Sequence, residues 1–153
     1  MPDCWIAGGF VRNAVWDCLH GFHPGANPVS DIDVIYFDAA RRDPAIDLAI
    51  QNGLNDQWNG PPFSVKNQAR MHLRNGHAPY ASAVDATRFW LERCTAVGVS
   101  CDGSMQVAAP LGTADLLGLI VRPTLPEYRE RVRQRCEEKG WLRTWPNLRL
   151  VGL

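Results

Sequence analysis

The sequence predicts an α+β fold, a small mixed β-sheet flanked by helices, and three observations carry that prediction. Short runs rich in β-branched and aromatic residues recur in the first half of the chain, at CWIA (4–7), DIDVIYF (31–37) and FSVKNQA (63–69). Apolar residues recur at helical spacing between and beyond them, first at Phe10, Val11, Ala14, Val15, Cys18 and Leu19. Further on, TAVGVSC and MQVAA flank Asp102-Gly103, a pair suited to the positive backbone angles of a tight hairpin turn. With 153 residues, 46% of them hydrophobic, the chain can bury one core and is read as a single domain over 1–153.

Each element follows in order. Residues 4–7 form a strand that ends at Gly8-Gly9 and opens an amphipathic helix, with Arg12, Asn13 and Asp17 on its polar side and His20-Gly21 as its stop. The turn-forming GFHPGANPVS delivers the chain into the DIDVIYF strand. Asp43 can cap a helix over Pro44 to Gln51, with Gly53 as its C-terminal signal. The FSVKNQA strand leads into a short helical stretch, RMHLRNG, and a longer helix is expected over Ala83 to Arg93. After the hairpin come a short apolar helix from Gly112 to Val121 and a charge-rich helix from Glu127 to Lys139. The inward stripe of that last helix is Tyr128, Val132 and Cys136, and the Trp141–Pro146 tail is expected to pack back on the body.

Composition narrows the functional classes. Sixteen basic residues balance sixteen acidic ones, so no overall positive field draws in a nucleic acid. The five cysteines are odd in number and show no C-x-x-C spacing, which argues against a disulfide framework or thiolate zinc site and favours a cytoplasmic protein. No stretch approaches the roughly 18 uninterrupted apolar residues that a membrane span needs. The histidines lack the spacing of a metalloprotease helix and are assigned surface or capping roles. Trp5, Trp16 and Trp90 read as packing residues, whereas Trp58, in a polar loop, is the one tryptophan placed as a nucleobase contact.

Three clusters carry chemistry. Asp31 and Asp33 lie two apart on a strand, so their side chains share a face with Cα atoms roughly 6–7 Å apart, a spacing at which one or two Mg2+ (or Mn2+) ions bridge them. Bare carboxylates that close repel one another, and a cation relieves the repulsion. Gly8 and Gly9, between strand and helix, let backbone N–H groups and the helix N-terminus approach a phosphate, with Arg12 one turn into the helix as a fixed positive donor. Lys66, Asn67 and Arg70 gather cations and amides near the end of the third strand, where they suit a triphosphate. Each cluster alone has a plainer reading as a turn, a tight bend or a solvated strand end.

The ordered set G-G-x-V-R-N, a turn-rich connector and S-D-I-D-V resembles the opening signature of the nucleotidyltransferase superfamily that includes DNA polymerase beta and the CCA-adding enzymes. Over most of the chain, the stretches GFVRNAVWDCLHGF, SDIDVIYFD, SVKNQARMH, TAVGV and VRPT are similar to a bacterial nucleotidyltransferase-like family formerly listed only as a domain of unknown function. That resemblance implies a minimal nucleotidyltransferase fold, with Gly8, Gly9, Arg12 and Ser30 near nucleotide phosphates and Asp31 and Asp33 as catalytic metal ligands. It implies attack of an acceptor hydroxyl, on a small molecule or protein, at the α-phosphate of a nucleoside triphosphate, with pyrophosphate leaving. Active superfamily members generally add a third carboxylate from a neighbouring strand. Here Ser64 stands where one is expected, and Asp85, Asp102 and Asp115 are the possible substitutes. A catalytically degenerate nucleotide-binding module is the alternative, and a haloacid-dehalogenase-like phosphatase ranks last because a turn, not a strand, precedes Asp31. The chain has no room for the helical domains with which CCA-adding enzymes grip tRNA, so tRNA is not the expected partner.

Overall fold

In the computed structural model every residue but Gly103 is described, and the side chains of Cys101 and Asp102 also lie outside the described set. A five-stranded sheet runs in the order β3-β2-β1-β4-β5, with β1 Trp5–Ala7, β2 Ile32–Tyr36, β3 Phe63–Asn67, β4 Gly98–Asp102 and β5 Ser104–Ala108. Only β2 and β3 pair in parallel; the other neighbours are antiparallel, so the sheet is mixed as expected. The β4–β5 hairpin forms, and its Gly103 lies outside the described residues.

The register explains which side chains face the core. Ile6 pairs with Val34 and Val99, and Val34 with Val65, so one sheet face is continuous aliphatic surface. Val34, Tyr36 and Val65 on that face pack under Ile50 and Leu54 of α2 (Pro44–Asn55). Val15 of α1 (Gly9–Leu19) packs with Ile6 and Val99 in the same layer. The opposite face bears Asp33, Ile35, Ser64 and Lys66, which alternate out of phase with the core positions. It is covered only in part, where Ala83 of α4 (Ala83–Thr87) and Trp90 meet Ala7 and Ile35.

Several helices depart from expectation. Helix α2 runs through Gly53 to Asn55, because Gly53 has no positive φ and Leu54 still has core to bury against. Its Asp43 cap holds, accepting from the Ala45 N–H at 2.9 Å. Helix α4 stops at Thr87 instead of Arg93, since the following backbone pairs elsewhere: Leu91 O accepts from Thr124 N and Arg93 N donates to Arg122 O. Strand β3 ends at Asn67, whose side chain caps a 3₁₀ turn into α3 (Met71–Asn75). The expected apolar helix from Gly112 to Val121 shrinks to α5 (Ala114–Leu117); Leu119 then takes φ 56° and the chain enters β6 (Ile120–Val121), paired with β7 (Arg149–Leu150). Helices α6 (Arg129–Glu138) and α7 (Trp141–Thr144) close the body, and Val132 and Cys136 are buried as read from the sequence.

Helix α1 gives the largest correction. Its expected inward stripe is partly outside, with Phe10 41% and Leu19 43% exposed, while Arg12, Asn13 and Asp17 are buried. The C-terminal segment covers the polar side and satisfies it. Trp16, Trp141 and Trp145 pack edge to face, and the Arg12 guanidinium lies 4.6 and 4.2 Å from the rings of Trp16 and Trp141. Asp17 accepts from Asn27 and from the Trp145 indole at 2.7 and 2.9 Å; burial works to raise its pKa, and these donors outweigh burial and lower it. The four described cysteines are free, and among the described residues no helix is long and apolar enough to cross a membrane.

Candidate active site

The turn between β1 and α1 is built around Gly8. Its φ of 68° suits glycine, and a Cβ there would stand 3.1 Å from the Trp90 ring and 3.3 Å from Asp33 Oδ2. Gly8 N–H donates to Val97 O at 2.9 Å, which ties this turn to the segment before β4. Ala7 pairs with Asp33 across the sheet, so the start of α1 and the second aspartate are neighbours by register. Asp31 lies just before β2, exposed, accepting from the Ser30 hydroxyl at 2.8 Å.

Ser30, Asp31 and Asp33 line a cavity of about 680 Å³, and so does Gly9, whereas Gly8 shapes the turn without lining it. Gly9, Arg12 and Asn13 form one wall, Ser30, Asp31 and Asp33 another, and Arg135, Lys139 and Trp141 of the C-terminal helices the third. Neither aspartate has a salt-bridge partner among the described residues. Burial and the neighbouring Asp31 charge push the Asp33 carboxyl up to about 6, against the weaker pull of Arg135 and Lys66. Two unpaired carboxylates, one strained by the other, are a donor set that fits a hard divalent cation. Among the described residues they gain no third partner: no group of three or more His, Cys, Asp or Glu is placed to hold a metal. The register sets Ser64 directly beside Asp33 on β3. The Asp85 carboxylate accepts from the Ala81 N–H at 3.0 Å and is ion-paired with Arg88, Asp115 is held by Arg93 and Arg122, and the Asp102 side chain lies outside the described set.

The remaining sequence candidates part company. Arg12 reaches the cavity wall but is 3% exposed and donates to Asn13 Oδ1 and Thr95 Oγ1 at 2.8 and 2.9 Å, so its fork is already occupied. Lys66 faces a second cavity of about 580 Å³ that adjoins the first at Gly9, Asp33 and Arg135. Asn67 and Arg70 line neither. Asn67 is fully buried and donates to Asp38 O and Arg41 O, and Arg70 is ion-paired with Asp47 on the α2 side. Trp58 lines neither cavity; it packs on Phe63 and donates to Pro61 O at 3.1 Å, which holds it in its own loop.

Sequence reasoning missed Glu92 and Arg135. Glu92 is 1% exposed, its Oε1 lies 3.1 Å from Arg135 Nε, and neither atom makes a well-directed hydrogen bond. A signal for Arg135 existed: Arg131 and Arg135 stand one helical turn apart, each one position before Val132 and Cys136 of the inward stripe of α6.

The chain matches a family model described as "Nucleotidyltransferase" over residues 1–150. A solved structure reported to reveal a CCA-adding enzyme head domain superposes with a TM-score of 0.83 at 32% identity, covering 99% of this chain and 82% of that one. The fold also recurs in a CCA-adding enzyme solved with CTP (TM-score 0.57, 12% identity, 97% of this chain and 36% of that one). A tRNA-processing enzyme complex gives TM-score 0.57 at 15% identity, covering 97% of this chain and 40% of that one, so the chain spans well under half of these two larger proteins. Comparison with functionally curated proteins gives no significant match. On the family match and the head-domain likeness together, the chain belongs to a nucleotidyltransferase family.

Proposed function

We propose that the protein is a magnesium-dependent nucleotidyltransferase that moves a nucleoside monophosphate from a nucleoside triphosphate to an acceptor hydroxyl. The observation that carries this reading is the unpaired Asp31 and Asp33 beside the N-terminus of α1 in the first cavity. Asp31 and Asp33 would hold Mg2+, which when bound neutralises phosphate charge and polarises the α-phosphorus; Mn2+ has the same ligand preference. The backbone at Gly9, with Gly8 permitting the turn, offers N–H donors to phosphate oxygens, Arg135 and Lys139 supply further donors around it, and Ser30, whose hydroxyl donates to Asp31, stands at the same wall. Arg12, clamped by two tryptophans, keeps the α1 wall rigid and adds positive potential.

The acceptor oxygen forms a bond to the α-phosphorus as the bond to the β-phosphate bridging oxygen breaks. Pyrophosphate leaves and the hydroxyl proton passes to the medium. Ser64 beside Asp33 supports a second reading, a nucleotide-binding module without turnover, because a neutral serine hydroxyl supplies neither the negative charge nor the basicity of a carboxylate. The relatives described as CCA-adding or tRNA-processing make tRNA one acceptor to test alongside small hydroxyl compounds. Titration of the chain with each nucleoside triphosphate by calorimetry, with magnesium or with EDTA, is the direct test, paired with a pyrophosphate-release assay. Magnesium-dependent binding with release is expected; binding without release under any acceptor selects the second reading, and no binding rejects both.

A further inference from the structure

The second cavity lies over the partly covered sheet face, between Lys66 of β3, the residues that follow α4, and helix α6. Its charge is unbalanced. Glu92 is answered by Arg135, which leaves Asp33 facing Lys66, Arg74 and Arg131, none of which has a salt-bridge partner among the described residues. The lining also carries an aromatic edge: Phe89 is 36% exposed and its ring lies 4.5 Å from His77 and 5.4 Å from Tyr80, a stack that a planar or apolar body can extend.

Resting on the reading of the first cavity as the nucleotide site, we infer that this second cavity is the acceptor site and takes a small hydroxyl compound bearing an anionic group beside an apolar or planar body. Three features select that class. The negative charge of the triphosphate is met in the first cavity by the α1 N-terminus, by Arg135 and Lys139, and by the cation that Asp31 and Asp33 would hold, so it leaves the second set of cations unused. A nucleobase is uncharged and has no need of three cations, whereas a phosphate or carboxylate on a second molecule does. The cavities meet at Asp33, so a hydroxyl presented from one side reaches the α-phosphate held on the other. The transfer balances as written above: the acceptor oxygen gains the phosphorus bond, pyrophosphate departs with the electrons of the broken bond, and no other reagent is consumed.

The test uses the full chain, labelled for amide NMR and titrated with phenyl phosphate, benzoate and benzyl alcohol, which share a ring and differ in charge. Phenyl phosphate or benzoate is expected to shift the amides of Arg74, Phe89 and Arg131 while benzyl alcohol does not, and the tighter of the two anions names the group. The double variant Arg74→Glu/Arg131→Glu alters only exposed side chains and is expected to weaken the anion by about tenfold, the loss of one or two charge-assisted contacts, with magnesium-ATP affinity unchanged. Equal binding of benzyl alcohol overturns the inference, as does a double variant that loses magnesium-ATP instead, which would make this cavity part of the nucleotide site. Failure of the unaltered chain to bind any nucleoside triphosphate with magnesium would overturn the acceptor role by removing the nucleotidyltransferase reading itself; anion shifts recorded in that same sample show that the two failures are distinct.

Discussion

Asp33 and Asp47 are inward carboxylates on either side of the same parallel strand pair, and the protein treats them in opposite ways. Asp47, 2% exposed on α2, accepts from the Tyr36 hydroxyl at 2.6 Å and the Asn67 N–H at 3.0 Å and is ion-paired with Arg70. Burial works to raise its pKa, but Arg70, Tyr36 and Asn67 outweigh burial and hold it below the usual carboxylate range. Asp33 has no such partners, and burial with the Asp31 charge lifts it to about 6. A carboxylate whose oxygens are all satisfied is holding the fold together. One left unsatisfied beside a second carboxylate is held ready for a ligand from outside.

That contrast breaks most sharply at the level of activity. Asp31→Asn or Asp33→Asn is expected to lower pyrophosphate release by roughly 10³-fold or more, about 4 kcal/mol of transition-state stabilisation, while the variants still fold by circular dichroism. If Asp33→Asn turned over normally, the unpaired carboxylate would have no catalytic meaning. Asp47→Ala should do the reverse. It strands the Arg70 charge and the buried Tyr36 hydroxyl, with an expected loss of about 3–4 kcal/mol of stability in urea denaturation, and any fall in activity should follow the unfolded fraction.

The raised Asp33 gives the next effect. Between its ordinary value of 3.8 and about 6 the folded form binds the proton more tightly than the unfolded chain does. Stability of the metal-free protein should therefore fall as pH rises across that window, by about 1–2 kcal/mol after allowing for partial exposure, and stay level above it. Magnesium affinity should run the other way, rising through pH 6 as the carboxylate ionises. Asp33→Asn should flatten both profiles, which thermal melts at graded pH with and without magnesium would read. The smallest effect is expected at Trp58. Its replacement by alanine should cost below about 1 kcal/mol and leave nucleotide affinity unchanged, because the ring is half exposed and lines neither cavity. A loss of nucleotide binding there would show that the Trp58 loop reaches the nucleotide.

Much of the scaffold was legible along the chain. The three strands, the Gly8-Gly9 turn, the Asp43 cap and the inward Val132 and Cys136 are short-range signals of period, propensity and turn chemistry, and each was found close to its expected bounds. Over Ala83–Arg93 and Gly112–Val121 the helical spacing of the sequence runs on past the ends of α4 and α5, because distant backbone pairing takes over there. Within the candidate site, Asp31, Asp33, Gly9, Arg12 and Ser30 converge on one cavity, Lys66 faces the adjoining one, and Asn67 and Arg70 do not reach either. A lysine or arginine reads the same from sequence whether its partner is a ligand or a buried aspartate.

The sequence by itself determined that a glycine turn and two aspartates would be carried on adjoining elements, since strand alternation and turn geometry act over a few residues. Only the tertiary structure decided which charges are occupied. Arg12 and Asp17 are turned inward because Trp141 and Trp145, more than 120 positions later, fold over them. Asp47 finds Arg70, Asp33 finds no cation within salt-bridge distance among the described residues, and α6 brings Arg131 and Arg135 over the open sheet face. A charge is stabilised or left waiting by what stands within a few ångströms of it, and for these residues those neighbours come from distant parts of the chain.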